Sequence, residues 1–118
     1  MINKRYLSYF LEEAEALVPE MKRCLDKGEH EVLRKHVHTI RGSSSMIGLD
    51  SIAGVAAMLE ELLKSEGKEA LEGRKLQLVS DSIDYLEQQI DRLNVGKEAE
   101  GSAAICQRYE EIAQDGGI

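Results

Sequence analysis

The fold of this chain is decided by the run His38-Thr39-Ile40-Arg41-Gly42-Ser43-Ser44-Ser45-Met46-Ile47-Gly48. A helix has about 3.6 residues per turn, so this run has two different faces. The first is chemical and carries His38, Arg41, Gly42 and Ser45. The opposite face is mostly apolar and carries Val37, Ile40, Ser44 and Ile47. Glycine inside a helix costs about 1 kcal/mol relative to alanine, so the gap at position 42 serves something other than stability.

Composition favours packed helices and argues against several functional classes. The 118 residues suit one domain, and with 42% apolar but only 4% aromatic residues they favour helix packing over a sandwich or barrel. The net charge of -7 argues against nucleic acid as the main partner, because phosphate contacts need clustered Lys and Arg. We find no signal segment and no apolar run of about 18 residues, and expect a cytoplasmic protein without a membrane span. Cys24 and Cys106 are expected to be free thiols.

Apolar residues recur at spacings of three and four through five segments of the chain, which is the pattern of amphipathic helices. This pattern predicts helices at about 3–27, 29–47, 51–65, 74–93 and 103–114. Short connections favour an antiparallel four-helix bundle with an additional C-terminal fifth helix, forming a single all-α domain over residues 1–118. The periodicity also places Val32 and Leu76 in the core. The polar segment 66–73 is predicted to be an exposed loop.

His38 is the strongest candidate for chemistry. A nucleophilic imidazole needs exposure, a cation to meet incoming phosphoryl oxygens, nearby donors, and room for a partner's active site. Arg41 offers the cation, Ser45 offers a hydroxyl donor, and Gly42 leaves the room. A lone helical histidine is more often a solvated or satisfied side chain, and these neighbours distinguish His38 from that ordinary case.

Glu60 is the candidate partner of the imidazole. An acceptor that holds the proton on one ring nitrogen leaves the other nitrogen free to attack. In an antiparallel helix pair that turns at Gly48, His38 lies ten residues before the turn and Glu60 twelve after it, so the two come level. A solvated surface acid beside Glu61 is the alternative interpretation of Glu60, and the residues alone leave both open.

Other chemistries lack support in the sequence. A di-iron bundle needs a Glu three residues before a His. At that spacing, His30, His36 and His38 are preceded by Lys27, Leu33 and Lys35. Neither a nucleophile-bearing turn nor a glycine-rich nucleotide motif occurs. We therefore expect no metal, no cofactor and no autonomous catalysis.

The motif His38, Arg41, Gly42 and Gly48 resembles that of the histidine phosphotransfer (HPt) family, in which a helical histidine precedes a basic residue at plus three and glycines at plus four and plus ten. The chain looks closest to the amino-terminal phosphotransfer domain of CheA-type chemotaxis histidine kinases. Three more stretches resemble helices of that domain: Tyr9-Phe10-Leu11-Glu12-Glu13-Ala14, Leu59-Glu60-Glu61-Leu62-Leu63 and Ile105-Cys106-Gln107.

This resemblance implies a specific function. His38 would accept a phosphoryl group on the ring nitrogen farther from the backbone, from a histidine kinase catalytic domain acting in cis or trans. It would pass that group to an aspartate of a response-regulator receiver domain, while Glu60 binds the other ring nitrogen. Two positions depart from the family. Arg41 replaces the usual lysine, and its planar guanidinium can donate two parallel hydrogen bonds. Ala57 stands where chemotaxis kinases often carry a second histidine.

Two further functions remain open. One is a helical interaction module that docks receiver-like partners without being phosphorylated, and the other is a small helical enzyme, for which no second catalytic constellation exists. The chain fits either a free-standing carrier or the front part of a larger kinase, and the segment from Glu98 onward favours the second. We expect a monomer, because the active face of a carrier must stay open.

Overall fold

The structure is a computed structural model that describes residues 3–66 and 71–114, and over those residues it contains only helices and connections. Five helices follow in order: α1 Lys4–Lys27, α2 His30–Met46, α3 Asp50–Glu66, α4 Gly73–Asn94 and α5 Ala103–Gln114. The all-α fold class is therefore confirmed. Of the loop predicted at 66–73, residues 67–70 lie outside the described residues.

The first four helices close a ring around one core. The interface between α2 and α3 is the most extensive, α1 packs on α2 and α4, and α3 packs on α4. Helix α5 lies outside this ring against α4 and α3. Its Tyr109 hydroxyl forms a buried hydrogen bond of 2.7 Å with the Ser82 hydroxyl of α4. The predicted bundle with an additional C-terminal helix is confirmed.

Glycines in the left-handed backbone region make the two tight connections. Helix α1 ends at Gly28, with φ of 71°, and Gly48, with φ of 80°, lies in the turn between α2 and α3. In that turn the Leu49 amide donates to the Ser44 carbonyl oxygen at 2.9 Å, which satisfies one of the last carbonyls of α2. The connection is so short that α3 folds straight back along α2.

The buried face of α2 holds the helix in the bundle. Leu33, Val37, Ile40 and Ser44 are fully buried, and the Ser44 hydroxyl donates to the Ile40 carbonyl oxygen within the same helix. The expectation that Val32 and Leu76 are core residues was wrong, since they are 39% and 38% exposed. Each lies in the first turn of its helix, where the core gives way to solvent.

Substitutions on the buried and the exposed face of α2 should differ in their effect on stability. We expect Ile40→Ala to lower the free energy of unfolding by about 2–5 kcal/mol, because it leaves a cavity at a fully buried position. The exposed change Ser45→Ala should stay within about 0.5 kcal/mol of wild type. Urea unfolding of both variants measures the difference, and equal losses would contradict the assignment of the two faces.

Candidate functional site

The chemical face predicted for α2 points away from the core. The His38 side chain is 67% exposed, Gly42 and Ser45 are exposed, and Arg41 is half-buried. A side chain added at Gly42 would meet no atom within 4 Å, so the space beside the imidazole is open in this chain. The face therefore offers an accessible imidazole with a notch one turn further along the helix.

One buried carboxylate lies behind the imidazole. Glu60 of α3 is only 1% exposed, and its Oε2 atom accepts a hydrogen bond of 2.8 Å from His38 Nδ1. Its Oε1 atom accepts a second bond of 2.8 Å from Arg41 Nη1. An ionised carboxylate has no proton to give, so the hydrogen on the imidazole is assigned to Nδ1. Nε2 then keeps its lone pair.

Cations keep this carboxylate ionised. Burial by itself raises the pKa of Glu60, but the hydrogen bonds from Arg41 and His38, together with the charge of Lys64, outweigh burial and lower that pKa below its ordinary value of 4.5. Lys64 Nζ lies 3.8 Å and Arg34 Nη1 lies 3.9 Å from Glu60 Oε2. Glu60 is thus a permanent acceptor for the imidazole at neutral pH.

Helical spacing explains why these groups meet. Arg34, His38 and Arg41 follow at i, i+4 and i+7 on α2 and lie along one side of that helix. Glu60 and Lys64 follow at i and i+4 on α3. The short turn at Gly48 brings the two helices together at this level. The tight packing of α2 on α3 therefore sets the distance between imidazole and carboxylate.

The structure brings most of the predicted site residues together. His38, Glu60 and Arg41 form one hydrogen-bonded group, and Glu60 is buried rather than a solvated surface acid. Arg41 is expected to meet incoming phosphate oxygens. In the structure its guanidinium donates a hydrogen bond to Glu60. Sequence reasoning missed Arg34 and Lys64. Their signal was the spacing of one helical turn from His38 and from Glu60 respectively.

An exposed apolar groove lies between α1 and α2. Tyr6, Tyr9 and Phe10 line it from α1, while Ser43 and Met46 line it from α2, and its volume is about 470 Å³. Tyr9 is 61% exposed and Met46 is 88% exposed. Met46 lies eight residues after the histidine, about two turns further along α2 and about 80° around its axis. The groove therefore opens on the side of α2 that faces α1, whereas His38 contacts Glu60 on the side that faces α3.

The rest of the described chain offers no second centre of this kind. Cys24 and Cys106 are both free thiols, the first buried and the second half-buried. Among the described residues, no three His, Cys, Asp or Glu side chains are grouped closely enough to hold a metal ion. None of the helices in the described ranges is both long and apolar enough to cross a membrane.

The fold and the site define a class of protein: a helical bundle that presents an exposed imidazole backed by a buried carboxylate. The family model of the Hpt domain matches residues 5–94, and the chain belongs to this family. Membership supports a histidine phosphotransfer role in a phosphorelay, and Hpt domains generally interact with kinases and response regulators. Helix α5 lies beyond the matched residues. A search of curated proteins finds no match to this chain.

Acid titration should reveal the charge on Glu60. Because the pKa of Glu60 is lower in the folded than in the unfolded chain, its contribution to stability is present above about pH 4.5 and is lost as the pH falls through the folded pKa. Glu60→Gln removes this titration. We expect the free energy of unfolding of wild type, measured by urea unfolding at a series of pH values, to fall more steeply below pH 4.5 than that of Glu60→Gln. Parallel curves would contradict the lowered pKa.

Proposed function

We propose that His38 is the phosphoryl acceptor of this chain and that it passes the group to an aspartate of a response-regulator receiver domain. The observation that carries this proposal is the hydrogen bond from His38 Nδ1 to the buried Glu60 Oε2, which leaves Nε2 as the free nucleophile of an exposed ring. Membership of the Hpt family supports the same reaction.

The chemistry divides between this chain and its partners. Nε2 attacks the phosphorus of the donor, the Nε2–P bond forms, and the P–O bond to the leaving group breaks. The imidazole gains positive charge as it is phosphorylated, and the Glu60 carboxylate on Nδ1 stabilises that charge. In the onward step the receiver aspartate attacks phosphorus, and the electron pair of the Nε2–P bond returns to Nε2.

The partners supply the remaining catalytic groups. This sequence has no glycine-rich nucleotide motif, so a histidine kinase catalytic domain, in cis or in trans, binds ATP and delivers the phosphoryl group. Two features support docking of a receiver domain beside His38. Gly42 gives close access, and the groove of Tyr9 and Met46 offers apolar contact.

The chemotaxis setting is a finer part of the proposal. The resemblance of the first, third and last helices to the phosphotransfer domain of CheA-type kinases supports an origin in such a kinase. On this proposal residues 1–118 form one domain of a cytoplasmic signalling protein, and the domain is monomeric so that its histidine face stays open. Helix α5, which packs on α4 and α3, is part of the resemblance.

A second candidate function is a docking module that binds receiver-like partners and is not phosphorylated. The exposure of Tyr6, Tyr9 and Met46 around one groove favours this alternative, because large apolar side chains in one patch are typical of interaction surfaces. Such a module needs the groove but has no use for a free Nε2 atom on His38. Phosphorylation of His38 therefore discriminates between the two functions.

Transfer of labelled phosphate tests the proposed acceptor. The chain is mixed with a receiver domain phosphorylated on its aspartate, or with a chemotaxis-kinase catalytic core and ATP, and acid-labile label is counted. We expect label on wild type and none on His38→Gln, because the amide side chain lacks a nucleophilic ring nitrogen. Absence of label from folded wild type with both donors would favour the docking module.

A bulky residue at position 42 tests access to the imidazole. Gly42→Leu should leave the chain folded, since a Cβ there meets nothing within 4 Å and leucine is a better helix former than glycine. Transfer with the receiver domain should slow by roughly tenfold or more, because the partner is held away from bonding distance. The matched control is Ala104→Leu on the exposed side of α5, which should transfer at the wild-type rate. An unchanged rate in Gly42→Leu would remove the access argument.

A further inference from the structure

The cations around Glu60 are divided between its two oxygens. Arg41 is bound to Oε1 at 2.8 Å, on the oxygen that does not touch the imidazole. Arg34 and Lys64 lie 3.9 and 3.8 Å from Oε2, which is the oxygen that accepts the bond from His38. The two cations nearest the imidazole side of the carboxylate are therefore Arg34 and Lys64.

The strength of these contacts differs as well. Arg41 makes a charge-assisted hydrogen bond to a fully buried carboxylate, and breaking such a pair leaves an uncompensated buried charge. The distances from Arg34 and Lys64 to Oε2 exceed the range of a hydrogen bond. The hydrogen bond to Glu60 thus fixes the Arg41 side chain, whereas Arg34 and Lys64 are attracted to Glu60 over a longer distance.

Arg34 and Lys64 also have weak partners on the outer surface. Arg34 lies 4.0 Å from Glu31, and Lys64 lies 3.8 Å from Glu61. Both glutamates are largely exposed, and ion pairs of this kind contribute little to stability. A phosphoryl group with a charge near -2 would displace these carboxylates at small cost.

We propose that Arg34 and Lys64 are the phosphoryl-binding cations of this site, and that Arg41 is a positioning residue that acts through Glu60. This inference rests on the proposed function of His38. Arg34 lies one turn before the histidine on α2 and Lys64 lies on the facing helix, and both are long, partly exposed side chains that would turn from Glu60 Oε2 toward a phosphoryl group on Nε2. Arg34 offers a planar fork for two oxygens, and Lys64 offers a compact point charge.

Chemical phosphorylation of the folded chain provides the test. Phosphoramidate, the probe, transfers its phosphoryl group to the imidazole as its own P–N bond breaks, ammonia leaves and the Nε2–P bond forms. The ionisation of the resulting phosphohistidine is then followed by 31P NMR from about pH 8 to pH 4.5, a range that brackets the second phosphate pKa of about 6. A cation in contact with the phosphoryl oxygens lowers that pKa, and its removal raises it.

Arg34→Gln and Lys64→Gln should each raise the pKa of the phosphoryl group by about half a unit, as expected for loss of one partly exposed ion pair. Lys35→Gln is the matched control, because it removes one positive charge from the exposed surface of α2 without removing a contact to Glu60. Arg41→Gln should shift that pKa no more than the control. Arg41→Gln should instead slow phosphorylation by phosphoramidate, and Arg41→Lys should restore most of the rate by returning a donor to Glu60.

The possible results separate the two proposals. Failure of wild type to form phosphohistidine, or equal signal from His38→Gln, overturns the proposed acceptor and this inference with it. Phosphohistidine on wild type, with Arg34→Gln and Lys64→Gln shifting the phosphoryl pKa no more than Lys35→Gln, overturns the inference alone. The largest shift in Arg41→Gln would return the phosphate-binding role to Arg41.

Discussion

The buried charge of Glu60 is the constraint on which the site depends. A carboxylate that is 1% exposed is stable only if partners compensate for the loss of water, and here His38 and Arg41 each donate to one of its oxygens. Both donors lie on α2, whereas Glu60 lies on α3. The register of the two helices is therefore tied to the chemistry, because a shift of one residue would leave Glu60 without its hydrogen bonds.

The bundle supplies the rigidity that this arrangement needs. Ile40 and Ser44 pack in the core and hold one face of α2 in place. The opposite face, which carries His38 and Gly42, is therefore not needed for packing. Sites built on helices are more precise than sites on loops, since packed rotamers limit the movement of functional groups. The extensive interface between α2 and α3 stabilises the bundle, and this offsets the free-energy cost of Gly42 within a helix and of the buried Glu60 carboxylate.

Much of this could be predicted from the sequence, and the contacts it missed at the site have one physical origin. Periodicity was sufficient for the five helices and the two faces of α2, and counting residues from Gly48 brought His38 level with Glu60. The same reasoning did not predict the hydrogen bond from Arg41 to Glu60. Spacing gives the direction of a side chain from its helix, but the end of a long flexible side chain is decided by charges on the neighbouring helix. Arg34 and Lys64 were missed for the same reason.

The charge around the imidazole fits a group that arrives and leaves. Arg34, Arg41 and Lys64 surround the carboxylate of Glu60, and the exposed carboxylates of Glu31 and Glu61 lie within 4.0 Å of Arg34 and Lys64. On the proposed function, a phosphoryl group with a charge of about -2 would replace Glu31 and Glu61 beside these two cations. Tighter binding by dedicated cations would trap the group on the histidine, since uniform stabilisation of a bound state does not speed transfer from it. On the proposed function, cations that are partly exposed and shared with surface glutamates would hold the group weakly enough for onward transfer.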